Sequence, residues 1–245
     1  MKSLNMYLGS VIDNDGLHFE SLLDDDDVFL DPENDKKVIE DWIVKHYTIT
    51  GRLIISNDFE VSCTGRVNVK DKSITSLTNG MFKWGEIFSS FICSKCNNLT
   101  SLEGAPEEVG RDFDCSYCSN LKSLEGAPKK VVENFWCNNC YSLKTLEGSP
   151  EKVGNSFYCS GCISLISLKG SPEKIKVDFY CTTCVNLKSL EGSPEIVGCN
   201  FNCNNCDNLT SLKGAPKKIS RGFWCSDCPN LKITDSDREK YKIYN

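Results

Sequence analysis

The amino-acid sequence predicts a repeat solenoid, a parallel β stack built mostly of strand and turn, with helical caps at both ends. Three observations carry that expectation. Phenylalanine recurs at Phe91, Phe113, Phe135, Phe157, Phe179, Phe201 and Phe223, 22 residues apart each time and without an insertion. Each phenylalanine opens the same string. Cysteine follows two and five residues later (Cys115 and Cys118 after Phe113), leucine at eight and eleven (Leu121 and Leu124), then Gly126, Pro128 and the β-branched Val131. A unit this short cannot bury its own apolar side, whereas one stacked on its neighbours can.

Within the unit, the Phe-x-Cys alternation reads as a short strand with two side chains turned inward. The Gly-x-Pro step reverses the chain, and proline removes an N–H where no ladder bond is needed. Each turn then contributes phenylalanine, two cysteines, two leucines and a valine or isoleucine to one continuous core. At the usual strand spacing of about 4.8 Å, the seven copies make a rod roughly 30 Å long.

A solenoid needs capped ends, or its terminal turns expose core. Residues 1–88 read as the N-terminal cap, 89–233 as the solenoid of seven repeats, and 234–245 as the C-terminal cap. In the first, residues 33–46 place Val38, Ile39, Trp42, Ile43 and His46 on one helical face, and Asp31-Pro32 is a suitable start. The segments 53–56 and 59–69 read as strands leading to the first turn. The stretch 67–77, VNVKDKSITSL, reads as a degenerate first copy one residue short. At the other end Leu231 is the last leucine in register, Thr234 stands where the next belongs, and 236–244 reads as a short capping helix.

The string Phe-x-Cys-x-x-Cys-x-x-Leu aligns with the leucine-rich-repeat motif Leu-x-Leu-x-x-Asn/Cys-x-x-Leu. The second cysteine falls where that family carries its buried Asn or Cys ladder. In wording, the units resemble repeats of bacteriophage and giant-virus proteins, of the type FYCSNNxLTSLEGAPxxVGG; the cysteine-bearing repeats of bacterial surface leucine-rich proteins are a looser match. The resemblance covers about 91–233 and extends faintly to 67–77. The chain departs from the viral pattern by carrying cysteine in place of asparagine and one added residue after it. The resemblance implies an intracellular viral accessory protein, in host cytoplasm or virion, and no particular activity.

A net charge of −6 argues against a nucleic-acid groove, which needs clustered Lys and Arg. No apolar run approaches the roughly 18–20 residues of a membrane span, and the N-terminal stretch makes a poor signal peptide. The 16 cysteines admit three readings. Seven CxxC pairs could hold zinc between turns, but seven is odd and His18 and His46 lie outside the repeats. Disulfides between turns are geometrically possible, but a reducing compartment disfavours them. Reduced thiols acting as small buried apolar groups are the expected state, the second of each pair donating weakly to a turn carbonyl. No metal or cofactor is expected.

No catalytic constellation assembles, and no histidine lies within the repeats; His46 reads as a cap residue at a helix end. The acidic run Asp24 to Asp27 reads as a solvated loop. What remains is a face. The residue between phenylalanine and the first cysteine points away from the core, giving the column Ile92, Asp114, Trp136, Tyr158, Tyr180, Asn202 and Trp224. Short polar columns flank it: Ser90, Asp112, Asn134, Ser156, Asp178, Asn200 and Gly222 before phenylalanine, and Ser94, Ser116, Asn138, Ser160, Thr182, Asn204 and Ser226 after cysteine. Aromatic anchors among small polar residues are the composition of binding surfaces. The plain alternative is that aromatics favour strands and stack along ladders. The charged edge Glu103, Glu125, Glu147, Lys169, Glu191 and Lys213 mixes sign and reads as a solvated rim. The expectation is therefore a non-catalytic protein–protein interaction module with a protein partner. A structural component of a virion or assembly is the alternative, and a zinc-dependent regulator the second.

Overall fold

The computed structural model describes residues 32–245. His18, the acidic run Asp24 to Asp27 and the proposed helix start at Asp31 lie outside the described residues. Within them the chain is a β-solenoid of about eight stacked parallel turns. Each turn carries two short strands. The front strand is the Phe-x pair, from Phe91–Ile92 to Phe223–Trp224; the back strand carries the β-branched residue, as in Lys130–Val131. Like pairs with like on both sides: Phe135 lies between Phe113 and Phe157, and Val153 between Val131 and Ile175. The front sheet has ten strands and the back sheet nine. The sequence pattern marks one strand per turn; the back sheet is an addition.

Two corners make the turn fold at this length. The residue just before the second cysteine is left-handed in every repeat: Lys95, Tyr117, Asn139, Gly161, Thr183, Asn205 and Asp227, with φ from 55° to 71°. That conformation is unfavourable for β-branched Thr183. Repetition fixes the corner even where the residue does not favour it. At the other corner Gly126 has φ +86°, and an added Cβ would sit 2.4 Å from the Glu103 backbone nitrogen of the preceding turn. Glycine is required there for conformation and for approach. The proline two residues on, as at Pro128 and Pro150, is buried, so it packs the core as well as turning the chain.

The core is one continuous column of layers. The phenylalanine rings stack turn on turn, with centroids 5.0–5.7 Å apart from Phe91 to Phe223. Both cysteines and both leucines of the inner turns are fully enclosed, as in Cys137, Cys140, Leu143 and Leu146.

The N-terminal end is closed by helix and hairpin together. Helix α1 (Pro32–His46) buries Ile39 and Ile43 completely and packs Val38 and Trp42 against the core. Strands β1 (Tyr47–Ile49) and β2 (Leu53–Ile55) run antiparallel to β4 (Val67–Val69) and β3 (Glu60–Cys63) respectively. Thr50 N–H to Arg66 O and Thr64 N–H to Arg52 O bridge the corner between the sheets. The four strands are thus one long hairpin bent over both sheets. Strand β4 pairs in parallel with the first repeat, Val67 against Phe91, and Leu77 is fully buried.

The C-terminal end differs from the expected helix over 236–244. Helix α2 (Asp235–Lys240) buries no residue. Thr234, at the vacant leucine position, caps it: its Oγ1 accepts from Asp237 N–H while Asp237 Oδ2 accepts from Thr234 N–H. The plug is the segment beyond the helix. Tyr241 packs 5.2 Å from Phe223 and its hydroxyl donates to Pro216 O. Ile243–Tyr244 then adds a tenth front strand beside Phe223–Trp224.

Nearest-neighbour stacking fixes where truncations hurt. Leu143 is fully enclosed by turns on both sides, whereas Leu231 is partly buried. Leu143→Ala should cost roughly 2–5 kcal/mol, and Leu231→Ala distinctly less. Denaturant unfolding of the two variants checks this; equal losses would contradict the stack.

Candidate interaction face

The column read from the sequence does lie together on the front sheet, each member half-buried. Its aromatic members are in face-to-face contact. Trp136 and Tyr158 stack at 3.7 Å and 4°, Tyr158 and Tyr180 at 5.0 Å and 3°. Rings covered by one another offer edges, not faces, to solvent, except at the ends of the stack. A second stack pairs Trp224 with Tyr244 at 4.2 Å. Tyr244 belongs to the face although the repeat does not mark it: Ile243 follows Phe223 by 20 residues instead of 22. Asn202 stands between the two stacks.

The flanking polar columns do other work than expected. Asn134 N–H and Nδ2 both donate to Asp112 Oδ1; Ser156 N–H donates to Asn134 Oδ1, Asp178 N–H to Ser156 Oγ, and Asn200 N–H and Nδ2 to Asp178 Oδ1. The other column repeats the device, Ser160 N–H donating to Asn138 Oδ1 and Ser226 N–H to Asn204 Oδ1. These side chains satisfy the backbone of the next turn at the strand ends, where two-residue strands leave N–H groups unmatched. They hold the rungs in register and are not free to adapt to a partner. The rim matches its reading: Lys169 pairs with Glu147 and Lys213 with Glu191, all exposed, and such pairs add little.

The thiols form a ladder of their own. From the second repeat onward, the second cysteine of each turn donates to the carbonyl of the first cysteine one turn back: Cys118 Sγ to Cys93 O at 3.2 Å, then Cys140, Cys162, Cys184, Cys206 and Cys228 likewise at 3.2–3.3 Å. All sixteen cysteines are free thiols, and only Cys199 and Cys228 are not fully buried. Burial pushes the thiols up: Cys96 and Cys225 to about 11, and Cys93, Cys115, Cys137, Cys159, Cys181 and Cys203 well above their ordinary value. A buried thiol that keeps its proton as a donor is a poor nucleophile. Among the described residues no three His, Cys, Asp or Glu side chains gather as a metal site.

His46 ends α1, with Nδ1 2.8 Å from Asp71 Oδ2. Hydrogen bonds from the Ser73 hydroxyl and N–H, then His46, hold the Asp71 carboxyl down at about 2. Lys70 Nζ adds a bond to Val44 O at the same helix end. The pair fastens the helix to the loop after β4. No helix among the described residues is long and apolar enough to cross a membrane.

Comparison with protein-family models, with curated proteins and with solved structures finds no match to this chain.

The thiol ladder has two measurable consequences. In native buffer a disulfide reagent should titrate Cys199 and Cys228 alone within minutes, and all sixteen thiols in denaturant; rapid native labelling of the repeat thiols would contradict their burial. The second concerns alkali. An unfolded thiol titrates near pH 8.5, and the thiols raised by burial lie higher when folded, so above that pH the native state holds more protons. Stability should be complete below about pH 8.5 and fall as pH rises above it. Urea unfolding at pH 7 and pH 9.5 measures it; equal midpoints would refute it.

Proposed function

We propose that the chain is a non-catalytic protein–protein interaction module that engages a protein partner through the front face. One observation carries the reading: Trp136, Tyr158 and Tyr180 form an ordered aromatic stack at the middle of that face. The polar columns beside it are locked into the backbone, so the surface is pre-organised and loses little ordering entropy on binding. Other exposed apolar side chains, Tyr117, Tyr141, Ile163 and Ile166, lie off this column. The wording of the repeats supports placing this module among intracellular viral accessory proteins, and a ladder of reduced thiols suits such a compartment.

The test is affinity capture with quantitative mass spectrometry, using the wild-type chain, the Trp136→Ala, Tyr158→Ala, Tyr180→Ala triple variant, and a rim variant with Glu103, Glu125 and Glu191 changed to Lys. A true partner is lost with the triple variant and kept by the rim variant. Its affinity should fall at least about thirtyfold for Trp136→Ala alone, the effect of removing an anchor of about 2 kcal/mol. Loss of one stacked ring should lower fold stability by only about 1 kcal/mol, which thermal melts verify. A partner that survives the triple variant and fails with the rim variant overturns the proposal.

A further inference from the structure

The aromatic column is interrupted once between rings, and the interruption has a shape. Tyr180 ends one stack and Trp224 begins the next, with Asn202 on the turn between them. Neighbouring turns place the phenylalanine rings Phe179, Phe201 and Phe223 5.3 Å apart at each step. Tyr180 and Trp224 thus stand two ladder spacings apart, roughly 10 Å. They are the ring faces that their own stacks leave uncovered on this side.

Both rings lean the same way. Burial and then the Asp178 carboxylate push the Tyr180 hydroxyl up, which places its tip by that carboxylate. Trp224 lies over Gly222: an added Cβ there would meet Trp224 Nε1 at 2.8 Å. Asp178 and Gly222 belong to the same column, the one before phenylalanine, so the two rings wall a single slot. Between the walls stand Asn202, whose Oδ1 accepts from Asn204 N–H at 3.0 Å, and Asn200, bound to Asp178 Oδ1 through Nδ2 at 2.8 Å. A planar group halfway between the walls lies about 5 Å from each ring, within the stacking range of π partners.

The charge of the face selects which planar group. Within the seven repeats the three front columns contain Asp112, Asp114 and Asp178 and no Lys or Arg; Arg66 and Lys242 take the place before phenylalanine on the two flanking strands. Arg221, nearest in sequence, belongs to the column two residues before phenylalanine, where Arg111 pairs with Glu133 of the next turn. A cation already meets the far end of this same column, Lys242 Nζ lying over the Tyr244 ring at 5.4 Å. A guanidinium is planar, stacks on aromatic faces and pairs with carboxylate.

We infer that the gap over Asn202 is a slot for an arginine side chain of the protein partner, sandwiched between Tyr180 and Trp224 beside Asp178. The inference rests on the front face being the docking surface, and it names the residue that the partner must bring.

The probe is a blocked tripeptide, acetyl-Gly-Arg-Gly-amide, titrated into the isotope-labelled full chain and followed by NMR. Expected are millimolar binding, with shifts at the Trp224 indole N–H and the Asn202 side-chain amide. Asn202→Tyr, which supplies the missing ring and fills the slot, should weaken binding at least tenfold with an unchanged or higher melting temperature. Trp224→Leu, which removes one wall, should do the same with the fold kept by its amide spectrum. Equal binding of the Lys tripeptide would overturn the inference, because charge alone would then suffice. Tighter binding of the Trp tripeptide, or no shift at tens of millimolar, would overturn it too. So would shifts centred on Trp136 and Tyr158 that ignore Asn202→Tyr; that outcome would leave the front face as the docking surface, which the capture experiment tests separately.

Discussion

The whole rod depends on one weak bond repeated: the thiol of the second cysteine donating to the first cysteine's carbonyl one turn back. The corner between the two cysteines turns that carbonyl toward the interior, where no water reaches it. An unpaired buried carbonyl is costly. The residue that answers it must be small, inward and a donor. Asparagine could donate more strongly, but its remaining amide N–H and its carbonyl would then need partners in an apolar layer. Cysteine meets the need with one proton and otherwise packs as a hydrophobe. Its 22-residue repetition lets every turn answer its predecessor without any special residue.

That choice has costs elsewhere. The left-handed corner is imposed on every repeat, and residues as unsuited as Thr183 and Tyr117 accept it because neighbouring turns over-determine the backbone. Glycine at the opposite corner has no freedom to vary, since the preceding turn's backbone occupies the place of its side chain. The surface columns are constrained as well. Asp112, Asn134, Ser156 and Asp178 serve the backbone of the next turn, which leaves the column between phenylalanine and cysteine the freest of the front face. Variation is concentrated there, from Ile92 through Trp136 to Asn202.

The sequence made the columns legible because a fixed period sets like on like; once the phenylalanines align, so does everything between them. It did not make the back sheet legible. A strand of two residues such as Lys130–Val131 has no alternation to read, and only the parallel pairing of whole turns defines it. Tyr244 was hidden for a related reason: the chain reaches Ile243 two residues early, past α2, so no period leads to it. The aromatic column itself was legible, but not that its rings would cover each other's faces, which depends on side-chain lean. Nor was the role of the flanking Asn and Asp residues, which depends on the unmatched N–H groups at the ends of very short strands. The bend of the 47–69 hairpin over both sheets rests on Gly51 and Gly65, a long-range contact with no local signature.

The two ends of the rod are built from different, non-repeating segments, and neither one touches the middle turns. Nothing in either cap counts how many turns lie between them. Duplicating or deleting a unit of 22 residues would lengthen or shorten the rod by one step and present each cap with the same neighbour as before. Length is therefore an inheritable variable separate from foldability. Since each turn contributes one residue to the column between phenylalanine and cysteine, exchanging whole turns rewrites the displayed order of side chains one letter at a time. A lineage carrying this architecture can change what its surface spells by recombination within its own coding sequence, without first solving a new folding problem.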